Sequence, residues 1–187
     1  MGIMEKDLDD SEVEIIIEES EFIINCFFDN ITVSSDEFKL YKNSLSMMAK
    51  SFQHFKNEIL NLPPKLFVLN ITVCDDERIQ ELNSEHRSKD KTTDVLSFPL
   101  QENIRAGEFD DFLPEIELGD LFICKSICEK QAEEFSLTYQ EEFIHLATHG
   151  FLHVCGYDHE LGEIEEKLME KWEESIILHI KTLKNSK

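Results

Sequence analysis

The chain is short of positive charge. Its 187 residues carry 18 Lys and Arg against 40 Asp and Glu, a formal net charge of −22 with histidine neutral. A surface that is basic throughout is excluded, and with it generic, sequence-blind binding of nucleic acid. Long apolar runs are missing too: none approaches the roughly 18 residues of a membrane helix, so no membrane span is expected. The first ten residues, Met1 to Asp10, are acidic and lack the basic and apolar regions of an export signal. No CxxC pair is present. The five cysteines (Cys26, Cys74, Cys124, Cys128 and Cys155) are odd in number, which points to free thiols and a cytoplasmic location. Cys124 and Cys128 stand at helical spacing and are a conceivable ligand pair, but buried small apolar residues are the usual fate of such cysteines.

No internal repeat, low-complexity run or linker is evident, and the length suits one domain over residues 1–187. The acidic excess gathers over 5–21 and 160–174, each read as a solvated face. The composition of residues 1–20 permits partial disorder.

A strand is expected at 13–17. The apolar stretch 22–28 is too short for periodicity to decide between strand and helix. Ser34 and Glu37 stand at capping-box spacing and open a helix through Leu40, Leu45, Met48 and Phe52. Asn61-Leu-Pro-Pro64 ends it. Residues 66–73 are rich in β-branched side chains and read as a buried strand. A short helix over 75–85 follows, with Ile79 and Leu82 inward. A strand at 95–98 is ended by Pro99. Residues 101–117 read as an acidic surface loop, 118–124 as a strand and 125–135 as a helix. Thr138 and Glu141 cap a further helix, and Leu161, Ile164, Leu168, Trp172 and Ile176 form the apolar stripe of the last one. The fold class is α+β: a single small mixed sheet of about four strands, packed against and surrounded by helices.

Histidine is where the chain is rich. Four of its seven histidines, His145, His149, His153 and His159, fall within fifteen residues. His149 and His153 lie one turn apart on one helix face. Gly156 stands where a helix ends in the left-handed conformation, so the chain can reverse and bring His159 back. Spacing alone also allows His145 with His149; the reversal favours the later pair and leaves His145 as a supporting or merely packed residue. Three imidazoles on one ion leave a fourth tetrahedral position open, the arrangement of a catalytic zinc site rather than a structural one. Asp158 is placed to orient a ligand histidine from outside. In HExxH peptidases a glutamate follows the first histidine and acts as base. Here Gly150 holds that place, and peptide hydrolysis loses ground.

The second constellation is Asn83-Ser-Glu-His-Arg87-Ser-Lys89-Asp-Lys91-Thr-Thr-Asp94-Val-Leu-Ser97-Phe-Pro99. Arg87, Lys89 and Lys91 are the densest positive charge in an acidic chain. A guanidinium grips two phosphate oxygens and stabilises charge developing on a phosphoryl group. An ordinary solvated loop is the plain alternative.

Together the two segments resemble the YbeY family of bacterial ribosomal-RNA maturation endoribonucleases. That family carries HGxLHLxGYDH, and residues 149–159 here match it except that Val154 replaces leucine. It also carries a segment like NxxYRxxDxPTDVLSFP, matched by Asn83, Arg87, Asp90 and 93–99, with His86 in place of the aromatic and Thr92 in place of proline. Leu118-Gly119-Asp120 falls between them in the family's order. The likeness covers 66–178, the metallohydrolase-like core, and is weak before residue 60. It implies one Zn2+ per chain on His149, His153 and His159, with Arg87 as the catalytic arginine. His145, Asp158, Lys89 and Lys91 are the supporting or substrate-binding candidates. It further implies cleavage of single-stranded RNA at the 3′ end of small-subunit ribosomal RNA, a part in ribosome quality control, and the small ribosomal subunit as partner. No DNA is expected. Losing the proline at 92 removes a fixed φ and brings the rigidity of the Arg87 loop into question.

Two other readings compete. A metal-dependent hydrolase of a small molecule or protein would ignore RNA. A non-catalytic ribosome-assembly factor would use its metal as a staple and keep its function after Arg87→Ala. A staple wants a fourth protein ligand, and Cys155 is the local candidate.

Overall fold

The computed structural model describes residues 15–60, 62–109 and 112–186. Val13 and most of the acidic 1–20 segment lie outside them. The elements, in chain order, are strands β1 (Ile15–Glu19) and β2 (Phe22–Asp29), helix α1 (Ser35–Ile59), β3 (Leu66–Cys74), α2 (Asp76–Arg87), β4 (Val95–Pro99), β5 (Glu115–Cys124), α3 (Lys125–Glu134), α4 (Tyr139–Val154) and α5 (Glu163–Asn185). The strands form one mixed sheet in the order β1-β2-β3-β5-β4. β3 runs parallel to both β2 and β5, while β1 and β4 close the edges antiparallel.

The sheet thus has five strands rather than about four. The extra one is the stretch that periodicity left undecided. Phe22, Ile24, Cys26 and Phe28 are buried while the residues between them are not, a period of two set by pairing with β1 and β3. Both expected capping boxes are present: Ser34 with Glu37 and Thr138 with Glu141 each exchange side-chain and backbone hydrogen bonds.

One sheet face carries the main core. α1 lies over β1 and β2, α4 over β4 and β5, and α5 packs on both helices. Phe52 of α1 stacks on Phe151 of α4 with ring centroids 3.7 Å apart, and Phe22 and Phe67 complete the aromatic cluster. α2 packs by Ile79 and Leu82 on a smaller cluster with Cys74, Leu96 and Cys124. All five cysteines are free and buried. Cys124 belongs to the smaller cluster and Cys128 to the main one, each buried as such cysteines usually are.

Two expectations need correction. Residues 101–117 are more than a surface loop: Ile104 is fully buried in a 3-10 turn, Ile104–Ala106, and β5 already begins at Glu115. In the last helix Leu168, Trp172 and Ile176 do face the core, but Leu161 and Ile164 are 74% and 83% exposed. The helix starts only at Glu163, so Leu161 lies in a preceding turn and Ile164 in a first turn that no other described residue covers; Met169 and Ile180 extend the buried stripe instead. Among the described residues no helix is long and apolar enough to cross a membrane.

Candidate metal centre

α4 points two faces in two directions. Phe143, Ala147, Phe151 and Leu152 enter the core, while His145, His149 and His153 line an open cleft of about 1130 Å³. The helix ends as its glycine predicts. Gly156 has φ +85°, its N–H donates to the His153 carbonyl at 2.9 Å, and the Tyr157 N–H donates to the Leu152 carbonyl at 3.0 Å. These two bonds are the pair that closes a Schellman turn. The turn is anchored below by the Tyr157 hydroxyl, which donates to the Ile59 carbonyl at 2.9 Å, and reverses the chain so that His159 returns to the helix end.

The result is a compact triad. The Nε2 atoms of His149 and His153 are 3.1 Å apart, and one ring nitrogen from each of His149, His153 and His159 lies within 4.8 Å of the others. Two nitrogens on one tetrahedral zinc at about 2.0–2.1 Å stand roughly 3.3 Å apart, so the spacing fits one small ion. His153 Nδ1 is 2.9 Å from the Tyr157 carbonyl, which leaves Nε2 as its free ligand atom. Burial, joined by neighbouring His149, holds the His153 imidazole below its usual pKa and therefore neutral, the form a metal needs. Cys155 is fully buried in the core and its thiol is pushed well above the usual range by that burial, so it offers the triad no fourth ligand.

The remaining candidates divide. His145 lies on the cleft wall between two carboxylates, with Nε2 2.9 Å from Glu173 Oε1 and Nδ1 3.4 Å from Glu142 Oε1. The Glu173 contact, against the opposing effect of burial, raises its pKa. Burial alone would raise the Glu173 carboxyl, but contact with His145 and His149 outweighs it and holds the group down to about 2. Asp158 lines the cleft yet accepts its hydrogen bond from the Glu160 N–H at 2.9 Å. The group that orients His153 is the Tyr157 carbonyl, not the Asp158 carboxylate. Arg87 and Lys89 line the same cleft; Lys91 is exposed but stands outside the cleft lining.

The Arg87 loop is held without a proline at 92. Asn83, 2% exposed, donates from Nδ2 to the Lys91 carbonyl at 2.7 Å, and Gln80 Nε2 donates to Asp90 at 2.8 Å. The His86 ring packs edge-on against Phe98 with centroids 4.9 Å apart, filling the aromatic place. Two residues of the site escaped sequence reasoning. Glu173 reaches the histidines from α5. Arg105 donates to the Gly156 carbonyl at 3.2 Å, pairs with Glu165 at 2.7 Å and lies 4.0 Å from the Tyr157 ring centre.

Comparisons with known proteins bear on the family and the fold. The family model described as Endoribonuclease YbeY matches residues 30–181. An Endoribonuclease YbeY of Persephonella marina is 42% identical over 114 residues, covering 61% of this chain and 71% of that one. One from Staphylococcus aureus is 34% identical over 152 residues, covering 81% and 92%. The solution structure of TM1509 from Thermotoga maritima is 25% identical, with a TM-score of 0.54 over 86% of this chain and 92% of that one. The similarity runs along most of the chain, from before α1 into α5, and the protein belongs to the YbeY endoribonuclease family.

Proposed function

We propose that the chain is a zinc-dependent, single-strand-specific endoribonuclease. It acts in the cytoplasm on the 3′ end of small-subunit ribosomal RNA, with the small ribosomal subunit as its setting and a share in ribosome quality control. The observation that carries this reading is the joining, in one cleft, of the His149–His153–His159 triad with the Arg87 and Lys89 wall. The three histidines hold one Zn2+ per chain. Bound there, zinc supplies Lewis acidity, which polarises a phosphoryl oxygen and makes water a competent nucleophile near neutral pH.

The chain's own residues do the rest. Arg87 sits at the C-terminal end of α2, exposed to the cleft, and neutralises the phosphate as charge develops on it. Lys89 holds the neighbouring backbone. Glu160, Glu166 and Glu170 line the same cleft and repel phosphates. An RNA strand is therefore held at Arg87 and Lys89, a small basic footprint that suits one strand better than a duplex with phosphates on two flanks. His145 and Asp158 shape the metal side, and Lys91 meets RNA only outside the cleft.

The test is cleavage of a single-stranded RNA spanning the small-subunit 3′ end by metal-loaded wild type, a folded His153→Ala and Arg87→Ala, purified identically. Expected is loss of cleavage in the first variant and a fall of about 10²- to 10³-fold in the second, the scale for removing one transition-state donor. Equal cleavage by all three would assign the activity to a contaminant and overturn the reading. Assembly function that survives Arg87→Ala would favour the non-catalytic factor.

A further inference from the structure

We propose that Glu173 of α5 is a positioning residue for the metal centre, fixing the His149 imidazole so that its Nε2 faces the ion. The inference rests on the metal-site reading above. An imidazole ligand has two ring nitrogens, and the one that does not bind metal needs a partner to set the tautomer and the ring angle. For His153 that partner is the Tyr157 carbonyl at 2.9 Å from Nδ1. For His149 the facing pair of Nε2 atoms, 3.1 Å apart, marks Nε2 as the inward nitrogen and Nδ1 as the outer one. Glu173 Oε1 lies 3.6 Å from that Nδ1, and a closure of about half an ångström brings it to hydrogen-bond length.

Glu173 also differs from its helix neighbours. Glu166, Glu170 and Glu174 are exposed, whereas the Glu173 side chain is only 15% exposed. Its Oε1 is buried and receives no well-aligned hydrogen bond, although His145 Nε2 lies 2.9 Å away. A buried carboxylate oxygen without a donor is costly unless something supplies one. On closure the Nδ1–H of His149 supplies one, beside the charged contact from His145. His145, one turn earlier on α4 and braced by Glu142 on its other nitrogen, flanks the carboxylate and keeps it aimed between the two rings. A carboxylate there both selects the Nδ1–H tautomer of His149 and makes Nε2 a stronger ligand.

Zinc affinity, measured by competition with a chromophoric chelator, and the His149 tautomer in the metal-free protein, read from its ring 15N resonances, test this together. Glu173→Ala should weaken zinc binding about 10- to 100-fold and mix the His149 tautomers. Glu173→Gln keeps an acceptor oxygen in the same shape without the charge, and should recover part of both; it carries the test if the alanine variant folds poorly. Glu174→Gln removes an equal charge one residue along and should bind zinc like wild type. Wild-type affinity in Glu173→Ala, or an equal loss in Glu174→Gln and Glu173→Gln, would overturn the inference alone. A wild-type protein that binds no zinc would remove the metal-site reading itself, and this inference with it.

Discussion

Gly150 occupies the place where an HExxH peptidase carries its base, and the structure gives the reason. A Cβ built there would stand 2.9 and 3.0 Å from the two methyls of Leu121 and 3.2 Å from Ser97 Oγ. α4 crosses β4 and β5 closely at this point, so a larger side chain must displace Leu121 and Ser97. Gly150→Glu should therefore destabilise the protein by upwards of about 3 kcal/mol, through overpacking and a buried unpaired charge, and confer no peptidase activity. Urea unfolding measures it, and a variant with the wild-type midpoint would refute the claim. The metal-ligand candidates were readable in the sequence for a related reason: they lie within 149–159, where helix period and one glycine determine who meets whom. Glu173 comes from another helix, and no local spacing marks one glutamate among the many on α5.

At the scale of elements, the same distinction separates what was legible from what was not. Helices with capping boxes announced their starts, because a cap is a contact between residues three apart. β2 did not announce itself, since its strand character comes from neighbours 11 and 45 residues away in Cys26↔Ile15 and Cys26↔Ile71. The segment after β4 was the least legible. It looks like solvated loop, yet its 3-10 turn buries Ile104 and lays Arg105 across the turn that returns His159. Arg105 thus straps one end of the site, joining the Gly156 carbonyl, the Tyr157 ring and Glu165. Arg105→Ala should cost about 1–2 kcal/mol through the lost hydrogen bond and cation–π contact. Thermal unfolding at fixed pH reads the loss, and an unchanged melting temperature would show the strap to be slack.

Taken whole, the molecule is an acidic body with a small basic lip. With a net charge of −22 and, among the described residues, only Arg87 and Lys89 of the lysines and arginines on the cleft wall, RNA binding should release few counter-ions. For two cations on a single strand the slope of log K against log salt is roughly −1.4. Binding titrations of the isolated protein between low and physiological salt should give that shallow dependence. A slope of about −4 or steeper would instead reveal a longer basic path than the cleft provides. The charge itself was legible from composition, but the meeting of Arg87 and Lys89 with acidic groups in one cleft was not, because it depends on how the fold brings α2 and α5 together.

Cys155 stands between His153 and His159 in the same turn, and its thiol is sealed in the core. Reagents reach it only when the turn lets go, so the chain carries a chemical clock beside its histidine triad. Cys26, equally buried in β2, keeps time for the sheet. An ion held across His153 and His159 binds the closed turn and not the open one, so it slows the first clock by mass action. The second is left to the unfolding of the molecule as a whole.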